Sequence, residues 1–460
     1  MKIITAVLAI VPFCLSPALS SPDPHADSLA MLIRAETIRS WHSYERYAWG
    51  HDGFRPLSRK AYDWYSAPLG ITLIDAYSTL SIMGFKQEVH KIEKYVADSI
   101  SFDRDTFVKT FEVNIRILGG LLDMYELSQN PAILKKAEDF GKRLLPAFRS
   151  PTGIPYYWVN LKTGAVRGDT VNVAEGGTYL IEMGALSFFT GKPVYYQAAK
   201  RATKALYSRR SPLGLVAQNI DVRTGKWLDE QSHIGACIDS YYEYILKGWL
   251  LFRDPELKTM WDNSIEAINR YIADDRGSTL WYGVSSMKTG KRIATTVTLY
   301  DAFFAGQLTL AGDLDRAKRL QASWDRLWKK NGLEPMAYDY GRDSILSAEY
   351  DLNPEIIESA YYLYHRTGDP LYRQRVEAYF NDLERYCSTD AGFCSIRDVR
   401  TKEKLDDLPS FFFAETMKYF YLTFANPRHV GFAEVIFSTE AHPFEKAIFN
   451  IPNLKRRLGF

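Results

Sequence analysis

Thr367-Gly-Asp-Pro370 is one of several short segments at which a predicted helix ends and the next one begins. Glycine or asparagine can adopt the left-handed backbone that closes a helix, and proline suits the first turn of the helix that follows. Related segments are Ser128-Gln-Asn-Pro131, Thr190-Gly-Lys-Pro193, Arg253-Asp-Pro255 and the proline-free Ala311-Gly-Asp-Leu314. Positions 131, 193, 255, 314 and 370 recur at intervals of 62, 62, 59 and 56 residues. The chain is therefore predicted to repeat a helical hairpin of about sixty residues.

Helical periodicity dominates the chain on both sides of these turns. Fourteen helices are predicted, near 26–48, 69–84, 86–99, 108–127, 131–149, 175–189, 193–209, 234–252, 255–273, 298–310, 313–330, 354–366, 370–386 and 410–424. They pair into seven hairpins, and a closed ring with one helix of each hairpin inside would bury the apolar faces. We therefore expect an all-α fold, with the longer connections clustered at one end of the ring, where sites are usually built.

The first twenty residues have the pattern of a secretory signal peptide. Lys2 is followed by an apolar run from Ile3 to Leu15, too short to span a bilayer, and by a small-residue cleavage site at Ala18-Leu-Ser20. We expect an exported protein, periplasmic or secreted, with a single catalytic domain over 21–460. Asn-x-Ser/Thr acceptors are absent, which is compatible with a bacterial origin.

The charge of the chain argues against two classes of partner. With 57 basic and 55 acidic residues, the formal net charge is only +2. So balanced a composition is not typical of a protein that binds nucleic acid or a membrane surface. We expect neither partner, and we expect a monomer.

The cysteines indicate one disulfide bond. Cys387 and Cys394 flank a turn-like segment, and in an oxidising compartment we expect them to pair. Cys237 would remain unpaired in an apolar helix, where it is interpreted as a small core residue rather than a nucleophile. The eight histidines show no zinc-ligand spacing.

Near the C-terminus, Val435-Ile-Phe-Ser-Thr-Glu-Ala-His-Pro443 is interpreted as a β-ribbon with a polar tip. Pro443 cannot donate a hydrogen bond to a strand ladder, so the strand is expected to end there. An ordinary strand at the end of a domain would show the same pattern. The functional weight of this segment depends on the acids elsewhere in the chain.

Acidic side chains inside apolar helices are the main indication of chemistry. Desolvating a carboxylate costs roughly several kcal/mol unless it is paired or coordinated. Five predicted helices carry such acids: Glu112; Glu182; Asp239 and Glu243; Glu355 and Glu358; and Glu415. One such acid is commonly a structural ion pair, whereas five helices with acids indicate a site.

Three of these acids occupy equivalent places in their hairpins. Glu112, Asp239 and Glu355 each precede the next turn by roughly fifteen to twenty residues, toward the N-terminal end of the first helix. If the first helices line the ring, these acids converge on one rim of its cavity, and Arg116 can hold a carboxylate or a sugar hydroxyl. An acid-lined cavity in an aromatic-rich exported protein suggests glycoside hydrolysis. That reaction needs one carboxyl to protonate the leaving oxygen and another to activate water or attack.

The chain resembles the class I α-mannosidases, glycoside hydrolase family 47, over nearly all of its mature length. The matching motifs are Tyr47-Ala-Trp-Gly-His-Asp52, Phe111-Glu-Val-Asn-Ile-Arg-Ile-Leu-Gly-Gly120, Asp239-Ser-Tyr-Tyr-Glu-Tyr-Ile-Leu-Lys247, Pro354-Glu-Ile-Ile-Glu-Ser359, Phe411-Phe-Phe-Ala-Glu-Thr-Met-Lys-Tyr419 and Phe437-Ser-Thr-Glu-Ala-His-Pro443. The resemblance implies an (α/α)7 barrel plugged by a C-terminal β-hairpin. It also implies an inverting enzyme that removes terminal α-1,2-linked mannose from oligosaccharides or N-glycan-like substrates.

The resemblance further implies a role for each matched residue. Glu112 would be the general acid, Glu355 the general base that activates water, and Asp239 a third catalytic acid. Thr439 would bind one Ca²⁺ through its carbonyl and hydroxyl oxygens, which suits an ion that takes six to eight oxygen ligands. The implied substrate-binding residues, several of which would also bind the waters of the ion, are Arg116, Glu182, Glu358, Phe411, Glu415 and Glu440.

The chain departs from the family pattern at two motifs. It has Asn353-Pro-Glu355 where the family usually has Arg-Pro-Glu, and Leu299-Tyr-Asp-Ala-Phe303 where the family usually has His-Leu-x-Cys-Phe. We expect these changes to alter contacts to the sugar or the protonation of a nearby acid. Cys237 also stands where the residue varies within the family with oligosaccharide preference.

Four alternatives to this function stay open. The chain could be a mannose-glycan-binding protein of the same fold with little catalysis, or a mannosidase with altered linkage preference. It could also be a hydrolase or lyase for another polysaccharide on a similar helical barrel. A purely structural helical scaffold is the weakest alternative, since it needs no converging acids.

Overall fold

The computed structural model describes residues 23–425 and 430–460, so the predicted signal peptide lies outside the described residues. The α-helices of the described part are α1 (Pro24–Ala48), α2 (Ile71–Asp75), α3 (Tyr77–Ile82), α4 (Lys86–Asp98), α5 (Thr110–Val113), α6 (Gly119–Ser128), α7 (Pro131–Leu144), α8 (Val173–Gly177), α9 (Leu180–Thr190), α10 (Val194–Tyr207), α11 (Asp239–Phe252), α12 (Pro255–Tyr271), α13 (Phe303–Ala311), α14 (Leu314–Asn331), α15 (Glu355–Thr367), α16 (Pro370–Cys387), α17 (Met417–Phe424), α18 (Lys446–Phe449) and α19 (Leu454–Leu458). Two π-helical segments (Asn114–Leu118 and Phe412–Thr416) and two 3₁₀ segments (Leu145–Arg149 and Leu299–Ala302) adjoin them. None of these helices is both long and apolar enough to cross a bilayer.

Seven inner helices contact one another in a closed order. The order is α3, α6, α9, α11, α13, α15 and α17, and the π segment before α17 contacts α3 again. The outer helices α4, α7, α10, α12, α14 and α16 each pack on the inner helix that precedes them, and α1 packs on α17. The predicted (α/α)7 barrel is therefore confirmed. The seventh pair is formed by α1 and α17, which are far apart in the sequence.

The turns within the hairpins form for the reasons predicted. Asn130, Asp254 and Asp369 cap the following helices through their side chains, and a proline occupies the first helical position after each of them. The residue that closes the preceding helix has a positive φ at Gln129, Gly191, Arg253, Gly312 and Gly368. Glycine or asparagine was expected to supply this conformation, but two of the five turns use glutamine or arginine instead.

Short strands fill the connections that lead from an outer helix to the next inner one. They are β1 (Gly53–Arg55), β2 (Lys60–Tyr62), β3 (Phe107–Lys109), β4 (Trp158–Asn160), β5 (Val166–Arg167), β6 (Thr170–Asn172), β7 (Asn219–Asp221), β8 (Gln231–Ser232), β9 (Ala273–Asp275), β10 (Leu280–Tyr282), β11 (Val284–Ser286), β12 (Arg292–Ala294), β13 (Thr296–Thr298), β14 (Ala337–Asp339), β15 (Ser344–Ser347), β16 (Ser388–Thr389), β17 (Gly392–Phe393), β18 (Ile396–Asp398) and β19 (Glu403–Lys404). They form antiparallel sheets of two or three strands, such as β3-β4-β5 and β13-β14-β15. These connections all lead into the N-terminal ends of inner helices, so they gather at one end of the barrel.

A C-terminal hairpin of β20 (Val435–Phe437) and β21 (Pro443–Glu445) plugs the ring. Its strands pair antiparallel, and they contact the inner helices α11 and α6. We call residues 438–442 between the strands the plug tip. Pro443 begins the second strand, whereas it was predicted to end the first. A proline at the first position of a strand is readily accommodated, which explains the difference.

The structure corrects two predictions about cysteines. Cys387 and Cys394 are buried free thiols, although the Cys394 amide donates a hydrogen bond to the Cys387 carbonyl at 2.9 Å. A disulfide requires a specific geometry of the two side chains, which closeness in sequence does not guarantee. Burial raises the pKa of the Cys394 thiol to about 11. Cys237 is not helical, because it lies in a turn before α11 with a φ of 80°.

Candidate active site

One cavity of about 310 Å³ lies at the end of the barrel where the inner helices begin. Glu112, Asp239 and Glu355 all line it, so the predicted convergence of these three acids on one cavity is found. Further lining residues include Phe111, Arg116, Asn172, Glu175, Cys237, Glu243, Tyr300, Asn353, Glu358, Phe411, Glu415, Thr439 and Glu440. All of the predicted site residues except Glu182 therefore border this space.

The three acids share a structural position. Asp239 and Glu355 are the first residues of α11 and α15, and Glu112 lies in the single turn of α5. The N-terminal end of a helix carries partial positive charge and unpaired amide groups, which favour a carboxylate there. Three acids at the N-terminal ends of helices thus line one cavity.

Glu355 has few polar partners among the described residues. The Asn353 amide donates a hydrogen bond to Oε1 at 3.3 Å, while Oε2 is buried without a hydrogen-bond partner. Burial raises the pKa of Glu355 well above its ordinary value, and the nearby acids Glu358 and Asp239 raise it further. A group of this kind is typical of a site where a proton moves or where a further polar ligand binds.

A second buried acid, Asp301, influences Asp239 electrostatically. Burial raises the pKa of Asp239 to about 7, and Glu243 and Asp301 add to this effect. Asp301 itself has a pKa raised to about 7, again through burial. Its Oδ2 accepts hydrogen bonds from the amide and hydroxyl of Thr298, at 3.0 and 2.7 Å.

Asp301 should make stability depend on pH. Its folded pKa of about 7 lies above the ordinary value of 3.8, so the folded protein keeps a proton that the unfolded chain loses. Stability is therefore fully present below about pH 4 and is lost as pH rises toward 7. Asp301→Asn removes this linkage and can still accept the bonds from Thr298. The free energy of unfolding of the wild type, relative to the variant, should fall by up to about 1.4 kcal/mol per pH unit.

Urea unfolding at about pH 4.5, 5.5 and 6.5 measures this difference. Asp315→Asn is the matched control, because Asp315 lies in the first turn of α14 with 83% of its side chain exposed. A wild-type-to-Asp301→Asn difference that stays constant over the three pH values would show that Asp301 is not protonated in the folded protein.

Arg116 forms hydrogen bonds with an acid at the rim of the cavity and with another at its floor. Its Nε donates to Glu112 Oε2 at 3.1 Å, and its Nη1 donates to Glu440 Oε2 at 2.5 Å. Nη1 also lies 3.4 Å from Asp75 Oδ2. Arg116 belongs to one π-helical segment and Glu415 to the other. Such segments are frequent at functional sites, because the extra residue redirects side chains.

The floor of the cavity holds further acids with raised pKa values. Burial raises the pKa of Glu358 to about 7 and that of Glu440 to about 8. Burial also raises the pKa of Glu415 well above its ordinary value, and Glu440 contributes to that shift. Lys247 lies 3.5 Å from Glu358 and forms a buried ion pair with Glu243. Acids thus outnumber the cations around the floor.

Thr439 lies in the plug tip and lines the cavity from below. Its amide donates to the Tyr244 hydroxyl at 3.3 Å, and that hydroxyl donates to Glu182 at 2.5 Å. Glu182 is fully buried, and burial raises its pKa to about 7. Glu182 is therefore connected to the site through Tyr244 rather than through the cavity surface.

Phe411 supplies an apolar wall, and the guanidinium of Arg116 lies 5.7 Å from the centre of its ring. Of the two departures from the family motifs, Asn353 lines the cavity, whereas Leu299 is fully buried and its neighbour Tyr300 takes the lining position.

Several residues that line the cavity or lie close to it were not singled out from the sequence. Asp75, which contacts Arg116, lies in the apolar run Ile71-Thr-Leu-Ile-Asp75, so the pattern that found the other acids could have found it. Glu175 reaches the site through a capping box with Asn172. Tyr300 and Asp301 lie in a 3₁₀ turn, for which helical periodicity gives no signal.

Comparison with known proteins gives a consistent result. Residues 36–446 match the model of glycosyl hydrolase family 47. The chain is 34% identical to alpha-mannosidase I MNS5 of Arabidopsis thaliana, over 95% of this chain and 81% of that protein. It is 35% identical to human mannosyl-oligosaccharide 1,2-alpha-mannosidase IB, over 89% of this chain and 69% of that protein.

A solved structure agrees in fold. The alpha-1,2-mannosidase from Trichoderma reesei superposes with a TM-score of 0.84 at 27% identity, over 93% of this chain and 100% of that one. With the family match and the relatives above, it follows that this chain belongs to glycosyl hydrolase family 47.

Proposed function

We propose that this chain is an exo-acting α-1,2-mannosidase that hydrolyses mannose-containing oligosaccharides or glycans with inversion and depends on Ca²⁺. The observation that carries the proposal is the cavity that Glu112, Asp239 and Glu355 line together, above Thr439 of the plug tip. The human relative and the fungal structure named above are described as 1,2-alpha-mannosidases, which supports the same activity.

The shape of the cavity supports action at a chain end. The plug hairpin fills the ring from the other side, so the cavity ends at Thr439 and Glu440. A volume of about 310 Å³ is at the lower end of the range for small-molecule sites. Such a space suits one or two sugar rings and excludes a polysaccharide passing through.

Each of the three acids has its own role in hydrolysis. Glu112, held by Arg116, is the proton donor to the leaving oxygen, directly or through a water. Glu355 is the base that takes a proton from the attacking water. Asp239, with a pKa of about 7, can hold a proton at neutral pH and assists as a third acid. Phe411 packs against the sugar ring and Arg116 orients it.

The residues of the floor fit a calcium ion. Five acids near Thr439 have pKa values that burial raises: Glu182, Glu355, Glu358, Glu415 and Glu440. A divalent cation among them would stabilise their ionised forms, and Glu355 Oε2 has no other partner. When bound, calcium supplies positive charge and oxygen-coordination sites that orient sugar hydroxyls.

The donor set is consistent with few direct protein ligands. Within residues 23–425 and 430–460, no three His, Cys, Asp or Glu side chains are grouped closely enough to hold a metal ion. We therefore assign direct binding to the carbonyl and hydroxyl oxygens of Thr439, and binding through water to the surrounding carboxylates.

Thr439→Ala is expected to weaken calcium binding at least about tenfold, because it removes the hydroxyl oxygen and leaves the carbonyl oxygen. Calorimetric titration of the EDTA-treated protein with Ca²⁺ measures the affinity. The melting temperature in EDTA should be unchanged, since the hydroxyl makes no hydrogen bond within the described part of the chain. Thr401→Ala, in an exposed turn, is the control, and an equal affinity of Thr439→Ala and the control would refute the role of Thr439.

The activity is tested with a panel of mannobioses that differ in linkage, each incubated with and without EDTA. We expect mannose release from the α-1,2 isomer only, with loss in EDTA and recovery on addition of Ca²⁺. Release from another linkage would indicate altered specificity through Asn353 or Cys237. Calcium-dependent binding of mannobiose without turnover would instead favour a glycan-binding protein.

We also propose that the protein acts as an exported monomer, in the periplasm or outside the cell, in a bacterium. The signal pattern of the first twenty residues supports export, and the absence of Asn-x-Ser/Thr acceptors is compatible with a bacterial source. Cell fractionation followed by N-terminal sequencing and light scattering would test it, and a retained N-terminus or a stable dimer would count against it.

A further inference from the structure

The plug tip is held in the barrel by His442, which lies between two acids of the inner helices. Its Nδ1 is 2.8 Å from Asp123 Oδ2, and its Nε2 is 3.3 Å from Asp75 Oδ1 in a poorly aligned ion contact. All three side chains have no exposed surface. Both ring nitrogens face carboxylates, and these two acids raise the pKa of His442 to about 9 against the effect of burial.

The inner helix is shaped to receive this ring. A Cβ atom added at Gly119, the first residue of α6, would lie 2.8 Å from His442 Cδ2. That is closer than a Cβ atom can approach another carbon without one of them moving. Gly119 therefore makes room for the imidazole beside Asp123.

Lys418 of α17 holds the other side of the tip. Its Nζ donates to the Ala441 carbonyl at 2.5 Å and to the Ser78 hydroxyl at 2.9 Å, and the side chain is buried. Ala441 has a φ of 52°, a left-handed conformation that costs a non-glycine residue on the order of 1 kcal/mol. Contacts on both sides are the kind of support that maintains such strain.

These anchors act on the residues that line the cavity. The Ser438 amide donates to the His442 carbonyl at 2.9 Å, and the His442 amide donates to the Ser438 hydroxyl at 3.2 Å. The turn from Ser438 to His442 is thereby closed, with Thr439 and Glu440 at its apex. Fixing Ala441 and His442 from two sides therefore also fixes the position of Thr439.

We propose that His442 and Lys418 are positioning residues, which hold the plug tip so that the oxygens of Thr439 are in place before a cation binds. The proposal extends the calcium site of the proposed function and rests on it. Neither residue contacts the cavity, so each acts only through the position of the tip. Removal of either anchor should leave the plug tip less ordered. Calcium binding would then have to order the tip, which lowers the affinity for the ion.

The first experiment needs no calcium. Amide hydrogen exchange of the EDTA-treated full-length protein is followed in wild type, His442→Asn and Lys418→Met. We expect peptides covering residues 438–442 to exchange at least about tenfold faster in both variants, with the barrel helices unchanged. His365→Asn is the control, because His365 is a partly buried histidine whose recorded hydrogen bond, at 3.4 Å, is to a backbone carbonyl.

The second experiment titrates the same proteins with Ca²⁺. The dissociation constant should rise about 10- to 100-fold in both variants, and kcat on α-1,2-mannobiose should return to the wild-type value at saturating Ca²⁺. Such rescue is not expected of variants that are merely less stable. If His442→Asn does not fold, the variant Gly119→Ala takes its place in both experiments. Its added methyl group displaces the same ring by steric contact.

The outcomes separate the two proposals. A wild-type protein that takes up no Ca²⁺ would overturn the calcium part of the proposed function. The exchange data would then still show whether His442 and Lys418 hold the plug tip. Unchanged exchange at the tip would overturn the anchoring. Faster exchange with an unchanged calcium dissociation constant would show that the anchors serve the stability of the hairpin only.

Discussion

Glu355→Gln is expected to lower kcat for α-1,2-mannobiose by about 10²- to 10⁴-fold. The amide keeps the shape of the side chain and its bond from Asn353, but it cannot accept a proton from the attacking water. KM should change little, because the sugar contacts of Phe411 and Arg116 remain. Steady-state kinetics with added Ca²⁺ measure both constants.

The matched control for this substitution is Glu256→Gln. Glu256 also lies in the first turn of a helix, α12, but it is partly exposed and pairs with Lys200 and Lys204. Its variant should keep the wild-type kcat. A Glu355→Gln enzyme that retained more than about a tenth of the wild-type kcat would exclude Glu355 as the base.

Glu112→Gln should produce a loss that depends on the leaving group. Hydrolysis of mannobiose requires protonation of a sugar oxygen as it departs, so we expect a loss of about 10²- to 10⁴-fold. With α-mannosyl fluoride the departing fluoride needs no such proton, and the loss should be at least about tenfold smaller. Rates on both substrates, measured at saturating Ca²⁺, provide the comparison.

Glu355→Gln is the internal reference for that comparison, because a missing base slows both substrates alike. Equal losses on the two substrates in Glu112→Gln would assign Glu112 to a role other than proton donation. Arg116 would then hold an acid whose charge, rather than its proton, matters to the sugar.

The fold could be predicted because its determinants are local. Asn130, Asp254 and Asp369 each cap a helix within their own turn, and the interval between such turns indicates the hairpin repeat. The closure of the ring by α1 and α17 depends on contacts between the two ends of the chain. Local patterns carry no information on such contacts, so the pairing of these helices was not predicted.

The residues of the site also fall into two groups: those that local sequence patterns reveal, and those whose role appears only in the folded chain. Glu112, Asp239 and Glu355 were found because an acid in an apolar helix is costly unless it serves a purpose. The π-helical register around Arg116 and the turn at Cys237 interrupt that periodicity and could not be read from it. His442 and Asp123 are 319 residues apart, so their contact appears only in the folded chain.

Proton NMR of the first mannose released from the methyl glycoside of α-1,2-mannobiose, whose other product has no free anomeric centre, tests the central claim most directly. An enzyme in which Glu355 activates water and Glu112 protonates the leaving group inverts the anomeric centre. We predict that β-mannose appears first and that the α-anomer accumulates only later, through mutarotation. If α-mannose appears first, or if no mannose is released at any Ca²⁺ concentration, the claim is contradicted.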